Sequence, residues 1–293
     1  MRRGNFTDEP DFKRHPFRAV WRRILWRLHW RAFPERPVVV KDWWRGMQIT
    51  LPRSGSAAHI YYRRFSSAAK VRMLTEGLGE GMIAFDIGAH IGEYTLIMAA
   101  LVGASGRVYA FEPQKDLART IRENAAANRL DNVTVFQSAV GSGNGEVAFS
   151  SDPGSKAGWI VPDARSLGCA ETVPCVSVDQ FVARSGLTRL DFIKLDAGGN
   201  ELAVLEGAGG TIARTSPAIM CQLYHPQVIR ERHGYRPELI PEILQHYGYD
   251  LWLMNEHDVD CKFHIDSPAE LTKYCRSGQE YAVNFLLATR STG

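Results

Sequence analysis

Three acids and a histidine in this 293-residue chain stand where ligands are bound or protons moved. The stretch FDIGAHIGEYT passes from a strand-like run ending at Asp86 into a turn with Gly88 and Gly92, and a helical pattern begins at about Ile91. Glycines in such a turn let a ligand approach the backbone, and a helix start offers its N–H groups to an anion. In RVYAFEP, Glu112 ends the next strand-like run, 24 residues after Gly88. That placement suits a carboxylate gripping two ribose hydroxyls. Asp196 ends the run LDFIKLD and precedes Gly198 and Gly199, while His225 ends AIMCQLYH. An acid there either performs chemistry or closes the turn into the helix at Glu201, although Asn200 is better placed as that helix's cap. His225, just before Pro226, reads equally well as a surface residue at a strand end.

The spacing excludes two common nucleotide sites. A nicotinamide fingerprint, G-x-G-x-x-G, needs glycine where this chain has His90 and Glu93, so a pyrophosphate would meet side chains. No GK[ST] follows either glycine, so a Walker phosphate loop is absent as well. The pattern D-x-G-x-x-x-G with an acid on the second strand suits a ligand whose anionic part is a small carboxylate.

These residues need a scaffold, and the chain alternates to supply one. From residue 80 onward the runs MIAFDIG, IGEYTLIMAALVG, RVYAFEP, LARTIRENAAANR and NVTVFQSAVG alternate strand and helix, and the alternation resumes from VDQFVARSG through LDFIKLD, ELAVLEGAGGTIA, AIMCQLYH, PELIPEILQHYG, YDLWLMN and EYAVNFLLAT. Such order predicts an α/β fold with a doubly wound parallel sheet covered by helices. Between them, residues 142–178 form a looser, Gly/Ser/Pro-rich region suited to substrate-binding additions. Before the core, PVVVKDW, GMQITLP and HIYYRRF read as strands, followed by a short helix near residues 66–77. The chain therefore divides into a basic extension over residues 1–45, a strand and helix addition over 46–79, and a core domain over 80–293.

The net charge of +3 hides an asymmetry: residues 1–45 hold 12 Lys and Arg against 5 Asp and Glu, which leaves the remainder net acidic. A net acidic body speaks against a nucleic-acid partner, since tracking phosphates takes a basic surface near the site. Within FRAVWRRILWRLHWR, Phe17, Val20, Trp21, Ile24, Leu25 and Leu28 keep helical spacing, with Arg18, Arg22, Arg23 and Arg27 on the other side. Residues 17–31 thus form an amphipathic helix that either attaches to an anionic membrane surface or acidic partner, or buries its stripe on the protein's own body or in a homo-oligomer. Burial at home is the usual use of such a face. Five cysteines with no CxxC pair argue against a secreted disulfide framework. His257, Cys261, His264 and Cys275 have no common zinc spacing, so no metal is expected. No stretch reaches the roughly 20 apolar residues that span a bilayer, and arginines interrupt the N-terminus where a signal peptide is apolar. A cytoplasmic protein is expected.

Taken together, FDIGAHIGEYT, GRVYAFEP, NAAANRLDNVTVFQSAVG, SVDQFV and LDFIKLDAGGNELAVLEGA resemble the FkbM family of S-adenosylmethionine-dependent methyltransferases over approximately residues 80–225. The resemblance implies the class I methyltransferase fold, a Rossmann-like seven-stranded sheet, and methylation of a hydroxyl on a small molecule, a sugar or other glycan, or a natural product, with an RNA or protein methyltransferase, or a non-catalytic binding protein of the same fold, as the alternatives. It implies S-adenosyl-L-methionine as cofactor, with Asp86, Gly88, Ala89, His90 and Gly92 lining its methionine end. Tyr94 and Thr95 would lie near its carboxylate, Glu112 on the ribose, and Gln137, Ser138 and Ala139 beside the adenine. Packing of the first helix turn accounts equally well for Tyr94 and Thr95, and an outward-turning strand end for Gln137 and Ser138.

Methyl transfer to an alcohol requires alignment, exclusion of water and a base for the hydroxyl proton. Asp196 and His225, at the carboxyl ends of two successive strands, are the candidates. Two departures from the family stand out. Its members commonly carry a glutamate two residues after the aspartate, where this chain has Gly198, and an acid at the next strand's end, where it has Gln222.

Overall fold

The computed structural model describes residues 12–13, 15–152, 157–161, 171–224, 226–255, 262–270 and 284–290. Among them the chain forms two compact units, one running to Ser66 and the other from Ser67 onward.

The first unit opens with helix α1 (Pro16–Ala32), followed by the hairpin β1 (Val38–Trp44) and β2 (Met47–Leu51) and helix α2 (Gly55–Arg63). Trp44 pairs with Met47 across a two-residue turn in which Arg45 and Gly46 both have positive φ, as a type I′ turn requires. HIYYRRF, expected as a strand, lies largely in α2. Ser54 caps that helix by accepting from the Ala57 amide at 3.2 Å, and Ala57 and Ile60 are its buried residues, three apart on one face. The local β propensity of Ile60, Tyr61 and Tyr62 yields to that cap and packing. Helix α1 buries Ala19, Trp26 and Trp30, with Trp26 packed on Tyr61 at 5.2 Å. Its long apolar stripe faces the other way: Phe17 is 91% and Trp21 59% exposed.

The second unit begins with helix α3 (Ala68–Gly77), capped by the Ser67 hydroxyl, so the helix expected near 66–77 belongs with the sheet that follows. Then come β3 (Ile83–Ile87), α4 (Glu93–Val102), β4 (Arg107–Phe111), α5 (Lys115–Ala127) and β5 (Val133–Phe136). The short strands β6 (Ala139–Val140), β7 (Gly145–Ser151), β8 (Gly158–Val161) and β9 (Glu171–Val176) build a separate four-stranded sheet in the order β6-β9-β7-β8. This sheet is the content of the region read as loose, and it holds a small core of Ala139, Phe149, Val173 and Cys175.

The main alternation resumes with α6 (Val178–Arg184), β10 (Phe192–Leu195), α7 (Glu201–Glu206), α8 (Gly209–Thr215), β11 (Ala218–Leu223), α9 (Pro226–His233), α10 (Leu239–His246), β12 (Tyr249–Asn255), β13 (Lys262–His264) and β14 (Asn284–Arg290). The run ELAVLEGAGGTIA is thus two short helices rather than one, parted at Gly207 and Ala208. The main sheet has the order β13-β12-β14-β11-β10-β3-β4-β5, with β14 antiparallel to both neighbours. Without the three-residue edge strand β13, these are the seven strands of the class I methyltransferase fold. The order reverses between β3 and β10, and the crevice beyond the carboxyl ends at such a switch point is where open α/β sheets bind ligands.

All four residues of β10 are buried, because the strand is central and covered on both faces. Phe85, Phe111, Phe136 and Phe181 form an aromatic cluster under β3, β4 and β5, with Phe111 and Phe136 stacked at 5.4 Å and Phe181 edge-on to each.

Candidate functional site

Two strand ends meet at the switch point. The backbone turns out of β3 through Gly88 at φ +77° and enters α4 through Gly92 at φ +84°, with His90 between them at φ +53°. Protein neighbours crowd both glycines, Gly88 most severely. A side chain on Gly88 would run into the carbonyl of Asp196, and a Cβ on Gly92 would lie 3.1 Å from the Ile121 side chain. The amides of Gly88 and Ala89 donate to the Phe111 carbonyl at 3.0 and 3.1 Å, tying the loop to the end of β4.

Beneath the loop lies a buried ion pair. Asp86 and Lys194 are register partners on β3 and β10, and Lys194 Nζ is 2.9 Å from Asp86 Oδ1. The same ammonium donates to the Gly88 carbonyl at 2.7 Å, and Thr95 Oγ1 donates to Asp86 Oδ2 at 2.6 Å. Burial works against a charge on Lys194, but Asp86, Asp196 and Glu112 outweigh it and hold the ammonium above its ordinary range. The carboxylate of Asp86 and the hydroxyl of Thr95 are thus engaged with each other, supporting the loop from below. Tyr94, also buried, turns its ring toward the ammoniums of both Lys70, at 5.6 Å, and Lys194, at 5.7 Å.

Glu112 follows β4 and is buried. Its Oε2 accepts from the His90 amide and its Oε1 from the Gln114 amide, each at 2.9 Å. Burial raises its carboxyl to about 7, against the pull of those two amides and of Lys194. On the adenine side, Gln137 is exposed, the Ser138 hydroxyl lies within reach of the Ala139 and Pro174 carbonyls at 2.8 and 3.1 Å, and Ala139 is buried in β6.

Asp196 completes the crevice. Tyr224 donates its hydroxyl to Oδ1 at 2.8 Å, and Lys70 Nζ stands 3.5 Å from Oδ2. Burial alone would raise this carboxyl, yet the charges of Lys70 and Lys194 and the Tyr224 hydroxyl hold it below its ordinary value. It stays reachable, with 27% of its side chain exposed.

Neither Asp196 nor Asn200 closes the turn that follows. Asn200 is the N-cap of α7 without a side-chain cap bond, and its Nδ2 donates instead to the Val140 carbonyl at 3.0 Å. Glu201 closes it: its Oε1 accepts from the amides of Ala197 at 2.7 Å and Gly199 at 3.2 Å, while its Oε2 is buried with no hydrogen-bond partner among the described residues. Burial first, and then the charge of Asp196, push the Glu201 carboxyl up to about 8. Gly198 opens no room. At φ +67° a side chain there would strike the Gly158 carbonyl in β8, so a glutamate does not fit at this position. Gln222 is buried, with Nε2 3.4 Å from the Leu223 carbonyl.

Gly88, Ala89, His90, Gly92, Glu112 and Asp196 thus lie together at the carboxyl ends of β3, β4 and β10, with Asp86, Tyr94 and Thr95 buried beneath them. His225 lies outside the described residues, as do His257, Cys261 and Cys275. Sequence reasoning missed Lys70, Lys194, Glu201 and Tyr224. Lys194 carried a signal, because a lysine inside a fully buried strand has to be paired. Lys70 carried none, standing 126 positions from the carboxylate that it meets.

A family model, the methyltransferase FkbM domain, matches residues 86–251. The hexuronic acid methyltransferase AglP of Haloferax volcanii is 26% identical over 138 residues, 47% of this chain and 54% of that protein, so the chain spans about half the length of this curated relative. Among solved structures, methyltransferase FkbM from Methylobacillus flagellatus aligns with a TM-score of 0.45 and 17% identity over 80% of this chain and 56% of that one. The O-methyltransferase from Bacillus cereus in complex with SAH aligns with a TM-score of 0.43 and 16% identity over 76% and 79%. Because the family match runs from Asp86 in the first core strand to Leu251 in β12, through both halves of the crevice and more than half of the chain, this protein belongs to the FkbM methyltransferase family.

Proposed function

We propose that the protein transfers a methyl group from S-adenosylmethionine to a hydroxyl of a small molecule or glycan. The observation that carries this reading is the state of Asp196: a carboxylate held ionised by Lys70 and Tyr224, yet partly open, at the carboxyl end of β10 beside the loop of Gly88. The name of the Haloferax volcanii relative, a hexuronic acid methyltransferase, supports a sugar-type acceptor.

The residues present fit the cofactor of the family. Glu112 ends the second core strand with both oxygens oriented by backbone amides, which aims a carboxylate at a ribose diol. When bound, S-adenosylmethionine supplies a methyl group already activated on a sulfonium sulfur. The chain's own task is then alignment, dryness and one proton. Asp196 would accept a hydrogen bond from the acceptor hydroxyl and so orient its oxygen. On transfer of the methyl group to that oxygen, with the sulfur leaving as a thioether, Asp196 would take the hydroxyl proton. A carboxylate held below its ordinary pKa suffices, because an alcohol oxygen gaining a methyl group becomes oxonium-like and gives up its proton far more readily than a free alcohol does.

An RNA or protein acceptor is the second reading, and the acidic balance of the chain beyond residue 45 counts against it. Calorimetric titration with S-adenosylmethionine, followed by a screen of hydroxylated sugars and metabolites for a gain of one methyl group in mass, tests the proposal. No binding at millimolar cofactor would overturn it, and methylation confined to RNA or protein would replace it.

A further inference from the structure

Helix α1 uses its two faces in an unexpected way. The side it buries carries Ala19, Trp26 and Trp30, with Trp26 against Tyr61 and Tyr62 of α2. On the opposite side Phe17, Val20, Trp21, Ile24, Leu25 and Leu28 form one outward stripe at helical spacing, exposed by 37% to 91%. Exposed apolar residues scattered singly need no explanation, but six along one helix face form a patch.

The charges bordering the stripe identify what it fits. At 100° per residue, Arg18 falls on one edge of the stripe and Arg27 on the other, with Arg31 between Val20 and Ile24, and all three are exposed. Pro16–Ala32 contains no aspartate or glutamate. A second copy of this helix would therefore bring arginines against arginines with no counter-charge. A sheet of anionic lipid headgroups satisfies both features at once, because the apolar side chains enter the acyl boundary while the flanking guanidinium groups stay at the phosphates. A helix of 17 residues is about 25 Å long, and no helix among the described residues is long and apolar enough to cross a membrane. We infer that the outward face of α1 is a docking surface for an anionic membrane, on which the helix lies parallel to the bilayer plane.

The test uses the full chain and sedimentation with vesicles of phosphatidylcholine alone or with about one third phosphatidylglycerol. Binding to the anionic vesicles should exceed binding to the neutral ones by at least roughly tenfold and should fall with added salt, since each basic residue near such a surface is worth about fivefold. The Trp21 region should show blue-shifted fluorescence on the anionic vesicles. A Phe17→Glu, Leu28→Glu double variant should lose binding by at least roughly tenfold, and an Arg18→Gln, Arg27→Gln, Arg31→Gln variant should lose the preference for anionic lipid. All five positions are exposed, so thermal unfolding of both variants should match the parent. Equal binding to both vesicle types, or none to either, overturns the inference. So does a dimer, seen by light scattering, that Phe17→Glu dissolves while vesicles bind neither form, because the stripe would then be covered by a second copy.

Discussion

The carbonyl of Asp196 occupies the space where a side chain on Gly88 would project. This approach joins the two halves of the crevice, since Gly88 ends the β3 half and Asp196 the β10 half, and the Asp196 amide donates to the Ile87 carbonyl at 3.0 Å. Gly88→Ala is expected to push the strand ends apart, combining a clash with backbone strain at positive φ, at a cost of roughly 2–4 kcal/mol. Gly248→Ala is the control: that glycine has φ +75° but none of the described residues within 4 Å of its missing Cβ, so only the strain of about 1 kcal/mol applies. Denaturant unfolding of the two variants, with SAH titration of each, separates packing from strain. Equal destabilisation would show that the approach to Asp196 costs nothing.

Glu112 gives a prediction in pH. Its carboxyl, raised to about 7 by burial, is half protonated near neutrality in the free protein. A ribose diol donating two hydrogen bonds favours the ionised form, so binding should expel the proton. SAH affinity should accordingly rise about tenfold between pH 6 and pH 8, with close to one proton released at pH 6 in calorimetry across buffers of different ionisation enthalpy. Glu112→Gln should bind more weakly and without that pH dependence. A parent whose affinity ignores pH would remove Glu112 from the ribose.

Much of this site was legible in the chain, for reasons particular to each residue. The turn at Gly88–Gly92 and the acid at Glu112 were visible because local strand and helix patterns bracket them. Their reading was still incomplete, since Gly88 yields to Asp196 and Gly92 to Ile121, contacts that spacing does not encode. Gly198 stands out in the sequence only as a departure from the family, and what presses on it is Gly158, a residue of the small sheet that falls within the looser region of residues 142–178. HIYYRRF misled because aromatic and branched residues favour strands until a cap such as Ser54 and a tertiary face decide otherwise. Lys70 and Tyr224 reach Asp196 from different elements, and no single stretch of sequence brings those elements together.

That trio supports a kinetic prediction. Asp196→Asn should retain SAH affinity within about threefold while turnover falls by roughly 10²–10⁴-fold, the usual range for a lost proton acceptor. Lys70 and Tyr224 act through Asp196, so their variants should show in the pH profile as well as in the rate. Both partners hold the carboxyl below its ordinary value, the larger effect coming from the charge of Lys70. Removing either raises that pKa, which should shift the acidic limb of the kcat/KM profile to higher pH, further for Lys70→Met than for Tyr224→Phe. An acidic limb that stays in place in both variants would mean that Asp196 is not the group whose ionisation governs turnover.

Glu201 makes the last prediction, in stability. Its carboxyl is pushed up to about 8 in the folded chain, against 4.5 ordinarily, chiefly by burial and then by the Asp196 charge. The folded state therefore holds a proton that the unfolded state releases above about pH 4.5, and its contribution to stability is complete below that pH and lost progressively as pH rises to about 8. Glu201→Gln keeps an oxygen for the Ala197 and Gly199 amides and has no charge to titrate. Its melting temperature should gain on the parent's steadily between pH 5 and pH 8, whereas Glu201→Ala, which abandons both amides, should melt below Glu201→Gln at every pH. The sign follows from where the proton sits: a parent that gained on Glu201→Gln as pH rose would show Glu201 ionised in the fold and partnered by a cation, and its bonds to the turn that carries Asp196 would need a different account.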